Sequence, residues 1–142
     1  MLLLDSPARN GDDVTKLIAV IDDDPDMLSL MRELLREAQG YSVLLLQRED
    51  TAYGRIQGAL PDAIILDLRL EHPEGGWHIL ENIRLDPALA NIPVIVCSGD
   101  LRVIQERAAD LRRHKAEVLP KPFDLHDLLS MLNRLIGPGD GP

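Results

Sequence analysis

Five short apolar runs, "LIAVID", "SVLLLQ", "DAIILD", "IPVIVC" and "AEVLP", recur along the chain, separated by segments with helical spacing. That alternation constrains the fold more than any other feature. Several of the runs are apolar at consecutive positions, so both faces of the strand must be covered. Such strands suit a parallel sheet with helices on both sides. In "PDMLSLMRELLREAQG", Met27, Leu30, Met31, Leu34 and Leu35 form one stripe, and Gly40 is a stop signal. "WHILENIRLD", "DLRVIQERAADLRRH" and "DLHDLLSMLNRLIG" are amphipathic in the same way. "EDTAYGRIQGAL" is a weaker helix, because Gly54 and Gly58 lower its propensity. Five strands alternating with five helices make an α/β chain: a (βα)5 doubly wound, five-stranded parallel sheet.

The bulk numbers agree with one domain. The chain has 142 residues, 45% of them hydrophobic, enough for a real core, and with only 3% aromatic that core must be aliphatic. A formal net charge of -9 argues against nonspecific binding to nucleic acid or to an anionic membrane. Cys97 is the only cysteine, which rules out an intrachain disulfide or a thiolate zinc cage. The opening "MLLLDSPARNGDD" is too short an apolar run for a secretory segment, and far from the roughly 20 residues of a membrane span. Residues 1–15 read as a flexible leader, 16–137 as the domain and 138–142 as a flexible tail.

In a doubly wound sheet, ligands gather beyond the carboxyl ends of the strands. The polar residues there are few: Asp22 and Asp23, Asp67, Ser98 and Lys121. Asp67 follows four apolar residues, where an ionised carboxylate needs a partner. Lys121, stiffened between two prolines in "VLPKPF", is one candidate. A divalent cation shared with Asp22 and Asp23 is another; three carboxylates suit a hard ion such as Mg²⁺ and would relieve the crowding in "IDDDPD". In isolation that cluster is an ordinary acidic turn. Asp24 before Pro25 reads as a helix cap, and Asp124 caps the last helix with Asp127 in its first turn. Cys97 reads as a core residue, and the four histidines, which share no ligand spacing, as surface residues.

Taken together and in order, "VIDDDPD", "PDAIILDLRL", "IPVIVCSG" and "VLPKPF" resemble the receiver domain of bacterial two-component response regulators, over roughly residues 16–137. The resemblance implies a flavodoxin-like sheet in strand order 2-1-3-4-5. It also implies a role: a phosphoacceptor in the bacterial cytoplasm, not an enzyme acting on a separate substrate. Asp67 would take the phosphoryl group from a histidine kinase or a histidine phosphotransfer protein. Asp22 and Asp23, with Asp67 and the backbone carbonyl of Arg69, would hold Mg²⁺, or Mn²⁺ in its place. Ser98 and Lys121 would contact the phosphoryl group, and the Lys121–Pro122 bond is often cis in the family. A downstream protein or a second copy would read the face built by the fourth helix, fifth strand and fifth helix, about residues 100–136, with no direct contact to nucleic acid or membrane.

Several positions depart from that family's pattern. Val118 stands where an aromatic switch residue is usual, and Glu71 where a proline is usual. Gly75–Gly76 marks one extra residue in the loop after Asp67, and Gly99 replaces a common alanine, opening access beside Ser98 and offering a hinge. Arg69 and Asp100 fall where the family tunes dephosphorylation. Two other readings compete: a receiver excised from a longer transcription factor or hybrid kinase, and a Mg²⁺-dependent phosphohydrolase with an aspartyl nucleophile. The second expects an aspartate two residues after the nucleophile, where this chain has Arg69.

Overall fold

A computed structural model describes residues 15–139. The expected leader (apart from Thr15) and residues 140–142 of the expected tail lie outside them. The described residues form β1 (Leu17–Ile21), α1 (Pro25–Gln39), β2 (Ser42–Leu46), α2 (Glu49–Ala59), β3 (Ala63–Asp67) and α3 (Gly75–Leu85). β4 (Val94–Ser98), α4 (Leu101–Glu106), α5 (Ala108–Arg113), β5 (Glu117–Pro120) and α6 (Leu125–Ile136) follow. All strand pairs are parallel, and the order is β2-β1-β3-β4-β5. Successive strand residues face opposite sides. In β1, Leu17, Ala19 and Ile21 therefore join one core layer while Ile18 and Val20 join the other. The first layer packs under α2 and α3 with Leu111 of α5, the second under α1 and α6.

The local stop and start signals act as the sequence indicates. Asp24 accepts a hydrogen bond from the Asp26 N–H with Pro25 behind it, and Gly40 closes α1 in the left-handed region at φ 70°. Asp124 caps α6 through the His126 N–H. The weak segment is a helix, α2, and it stops at Leu60, itself left-handed at φ 50°. The fourth crossover differs from expectation in detail. Its continuous helical spacing breaks at Arg107 into α4 and α5, so among the described residues the four crossovers carry five helices and α6 follows β5. Arg107 lies 4.4 Å over the Trp77 ring and pairs with Glu74, both presented by the start of α3. None of α4's six described residues is buried, so α4 adds only the partly buried Val103 to the first core layer, and the joint at Arg107 and buried Leu111 hold the rest of the crossover. His114, expected at the surface, is half-buried with its ring edge-on to Trp77 at 5.4 Å.

Candidate functional site

Parallel strands deliver their carboxyl ends to one edge of the sheet. Asp22 leaves β1 with its N–H on the Leu46 carbonyl (3.1 Å), and Asp67 closes β3 in register with Cys97. Ser98 closes β4, and its carbonyl accepts from the Lys121 N–H at 2.8 Å. The five residues picked from the strand ends therefore lie at one edge of the sheet, where Asp22, Asp23 and Asp67 cluster, Lys121 bonds two of them, and Ser98 borders a hollow with Asp67. Lys121 Nζ donates to Asp22 Oδ2 and to Asp67 Oδ2, both at 3.1 Å. Asp22 is buried, whereas Asp23 is exposed. One carboxylate oxygen from each of Asp22, Asp23 and Asp67 lies within 4.8 Å of the others.

The electrostatics follow from this crowding. Burial raises the Asp67 carboxyl above its ordinary range, only partly offset by the Arg69 N–H (3.0 Å to Oδ1) and by Lys121, while neighbouring Asp22 adds to the rise. For Lys121 burial disfavours the charge, but the Asp67 and Asp22 carboxylates outweigh it and hold the ammonium above its usual value. The Lys121–Pro122 peptide is cis. Three acids against one ammonium leave a formal charge of minus two at one small pocket, which a divalent cation would cancel. All-oxygen donors with one carboxylate open to solvent fit a hard ion that keeps part of its water shell. The donor set therefore suits Mg²⁺ or Mn²⁺.

Around the pocket, Ser98 is buried and its Oγ accepts the Asp100 N–H at 3.1 Å, which leaves the hydroxyl hydrogen for another acceptor. Asp100 also caps α4 and lies 3.6 Å from the exposed Arg69 guanidinium. Asp67, Arg69, Ser98, Gly99, Asp100 and Leu101 border an open hollow of about 550 Å³. A Cβ on Gly99 would meet only the Lys121 Cβ at 3.9 Å, so no steric need for glycine exists there. Val118 is half-buried against the first core layer. Cys97 is a core thiol as expected, pushed up to about 12 by burial.

Two residues that the sequence did not single out for the site meet the loop after Asp67. Gly76, in the first turn of α3, donates its N–H to the Leu68 carbonyl at 3.1 Å. A Cβ there would stand 2.6 Å from Leu68 Cα, 2.7 Å from Leu68 O and closer still to the Asp67 carbonyl oxygen. Glu49, at the start of α2, reaches across to the same loop: its Oε1 accepts the His72 N–H (3.1 Å) and its Oε2 meets His72 Nδ1 (2.9 Å).

A parallel 2-1-3-4-5 sheet with acids after its first and third strands and a lysine after its fifth defines a receiver-type signalling domain. The family profile for the response regulator receiver domain matches residues 18–133, and the chain belongs to that family. Among curated proteins it is 35% identical over 132 residues to "Response regulator MprA" of Mycobacterium sp. strain KMS, covering 88% of this chain and 54% of that protein. It is 29% identical over 119 residues to the "Phosphate regulon transcriptional regulatory protein PhoB" of Rhizobium meliloti, covering 84% and 51%. The chain thus spans about half the length of the curated relatives it matches. Chemotaxis protein CheY4 of Vibrio cholerae superposes with a TM-score of 0.75 at 22% identity over 86% of this chain and 99% of that one, a likeness of fold. The receiver domain of sensor histidine kinase PA1611 from Pseudomonas aeruginosa, solved with a magnesium ion in its active-site cleft, matches with a TM-score of 0.74 at 25% identity, over 87% and 99%. Among the described residues no helix is long and apolar enough to cross a membrane.

Proposed function

We propose that this chain is a phosphoacceptor switch: Asp67 takes a phosphoryl group from a phosphohistidine on a histidine kinase or phosphotransfer protein, in a Mg²⁺-dependent reaction in the cytoplasm. The observation that carries the reading is the single ammonium of Lys121 shared by Asp22 and Asp67, beside a third carboxylate. An Asp67 oxygen forms the new bond to phosphorus as the bond to the donor's imidazole nitrogen breaks, and the electron pair of that bond leaves with the ring. Such transfers depend on positioning and on cancelling oxygen charge rather than on covalent help. Mg²⁺ held by Asp22, Asp23, Asp67 and the Arg69 carbonyl supplies that charge when bound. Lys121 is placed to swing from Asp67 to a phosphoryl oxygen, and Ser98 has a hydroxyl hydrogen to donate to another. An apolar hollow of about 470 Å³, bordered by Met27, Leu30, Phe123 and Leu125, opens beside Lys121 and suits a protein donor.

Output then runs through Ser98 and Gly99 into α4. Val118 offers no ring to rotate, so the movable part is the 98–100 turn, where Ser98 Oγ and Asp100 hold each other. The face from Asp100 to Ile136, comprising α4, α5, β5 and α6, is the surface a downstream protein or a second copy reads. The length of the curated relatives favours a second reading of the whole protein, in which this receiver controls an attached output domain; any contact with nucleic acid then belongs to that domain. A direct test incubates the chain with Mg²⁺ and a small phosphodonor and measures intact mass. One added phosphoryl group, absent in Asp67→Asn and absent with chelator, is the expected result. A wild-type chain that never labels, even with candidate kinases, refutes the reading.

A further inference from the structure

The loop between Asp67 and α3 carries two atoms the site depends on: the Arg69 N–H that holds Asp67 Oδ1, and the Arg69 carbonyl assigned above to the metal. Its sequence has Glu71 where a proline is usual in the family, and its own proline, Pro73, comes after His72, so the stretch from Leu68 to His72 holds no proline ring. Its ties include Leu68 N–H to the Cys97 carbonyl (3.3 Å), Gly76 N–H to the Leu68 carbonyl (3.1 Å), Gly75 N–H to the His72 carbonyl (3.0 Å), buried Leu70, and ion pairs of Arg69 with Asp100 and of Glu74 with Arg107. The tie to the middle of the loop, at His72, comes from Glu49. Its carboxylate takes both the backbone N–H and the ring nitrogen of His72, and is only 20% exposed. It also occupies the space a side chain at Gly75 would need, since a Cβ there would stand 3.0 Å from Oε2 and closer to Oε1. The first residue of α3 is thus a glycine against which an acid from α2 can seat itself, where the amino end of a helix favours negative charge.

We propose that Glu49 is a positioning residue for the Asp67 site: it fixes the 68–74 loop from outside and so sets the placement of the Arg69 peptide relative to Asp67 and a bound cation. This rests on the reading above for what the site does, but not for its test. In the full chain without metal, Glu49→Ala is expected to speed amide hydrogen exchange of residues 68–75 by tenfold or more. Its Mg²⁺ affinity, measured by calorimetry, should fall about tenfold, the lower end for losing an outer support of a metal site. Glu49→Gln keeps an oxygen for the His72 N–H and should restore most of both. Unchanged Mg²⁺ affinity in Glu49→Ala, or unchanged exchange in the loop, overturns the proposal. Should Glu49→Ala not fold, His72→Ala, which removes only the ring contact, should weaken Mg²⁺ binding about threefold, and no weakening there overturns it too. A wild-type chain that binds Mg²⁺ with this Glu49 dependence yet never takes up a phosphoryl group would sink the phosphoacceptor reading and leave the positioning role standing.

Discussion

Gly76→Ala is the substitution that most directly tests how the fold places Asp67. The added Cβ would face backbone on every near side: Leu68 Cα at 2.6 Å, Leu68 O at 2.7 Å and the Asp67 carbonyl oxygen nearer still. Moving from 2.6 Å to the 3.4 Å of ordinary contact requires α3 or the end of β3 to retreat by about 0.8 Å, and the Asp67 carbonyl demands more. No flexible side chain can absorb that movement. Overpacking a rigid site costs about 1–3 kcal/mol, and the upper end applies here, lowering the melting temperature by about 10 °C. The same displacement moves the nucleophile, and a misplacement of about 1 Å costs on the order of 100-fold in rate. The assay pairs thermal unfolding with phosphoryl uptake from a small donor, followed by intact mass. Gly99→Ala is the matched control, because its Cβ would meet only Lys121 Cβ at 3.9 Å. It should melt within about 2 °C of wild type, as a surface change within about 0.5 kcal/mol does. Wild-type stability and labelling in Gly76→Ala, or equal damage in Gly99→Ala, would refute the packing argument.

Two further outcomes follow from the geometry. Gly54 and Gly58 lie inside α2, and among the described residues no atom stands within 4 Å of a Cβ built on either, so each glycine-to-alanine change should add roughly 0.5–1 kcal/mol in urea unfolding. Lys121 has its folded-state value raised above the ordinary 10.5 by Asp67 and Asp22 despite burial, so its contribution is complete below pH 10.5 and lost as pH rises through the folded-state value. Stability measured against pH for wild type and Lys121→Met should therefore run at a constant gap from neutral pH, where the carboxylates are ionised, up to that point and converge above it; a gap already closing just above neutral pH would contradict the pairing.

The strand-end residues were legible in the sequence for a geometric reason. In a parallel sheet every strand points the same way, so a polar residue closing one apolar run is placed beside those closing the others without knowledge of any angle. Asp67 beside Cys97 and Ser98 beside Pro120 are consequences of that register. The caps at Asp24 and Asp124 were legible because they act within two residues of themselves. Contacts between elements were not. Helical spacing runs unbroken from Leu101 to Arg113, and what anchors the break at Arg107 is Trp77 and Glu74, about thirty residues earlier. Arg84 looks like a solvated helix residue, yet its guanidinium gathers the carbonyls of Ala90, Ile92 and His114 at 2.6–3.1 Å, and burial lowers its pKa.

The pair Gly75–Gly76 shows where a sequence reading of glycine runs out. A glycine can be required by a left-handed backbone or by a close neighbour, and the letter is the same in both cases. Gly40 and Gly137 belong to the first kind, with φ of 70° and 83°, and their places at helix ends made them readable. Gly75 and Gly76 have no positive φ. Read along the chain they are a change of length; in the fold they are two separate clearances, one for a carboxylate from α2 and one for the backbone of Asp67 and Leu68. The extra residue after Asp67 therefore need not loosen the site. Gly75 leaves space for the Glu49 carboxylate that meets His72, and Gly76 lets α3 begin against the backbone of Asp67 and Leu68.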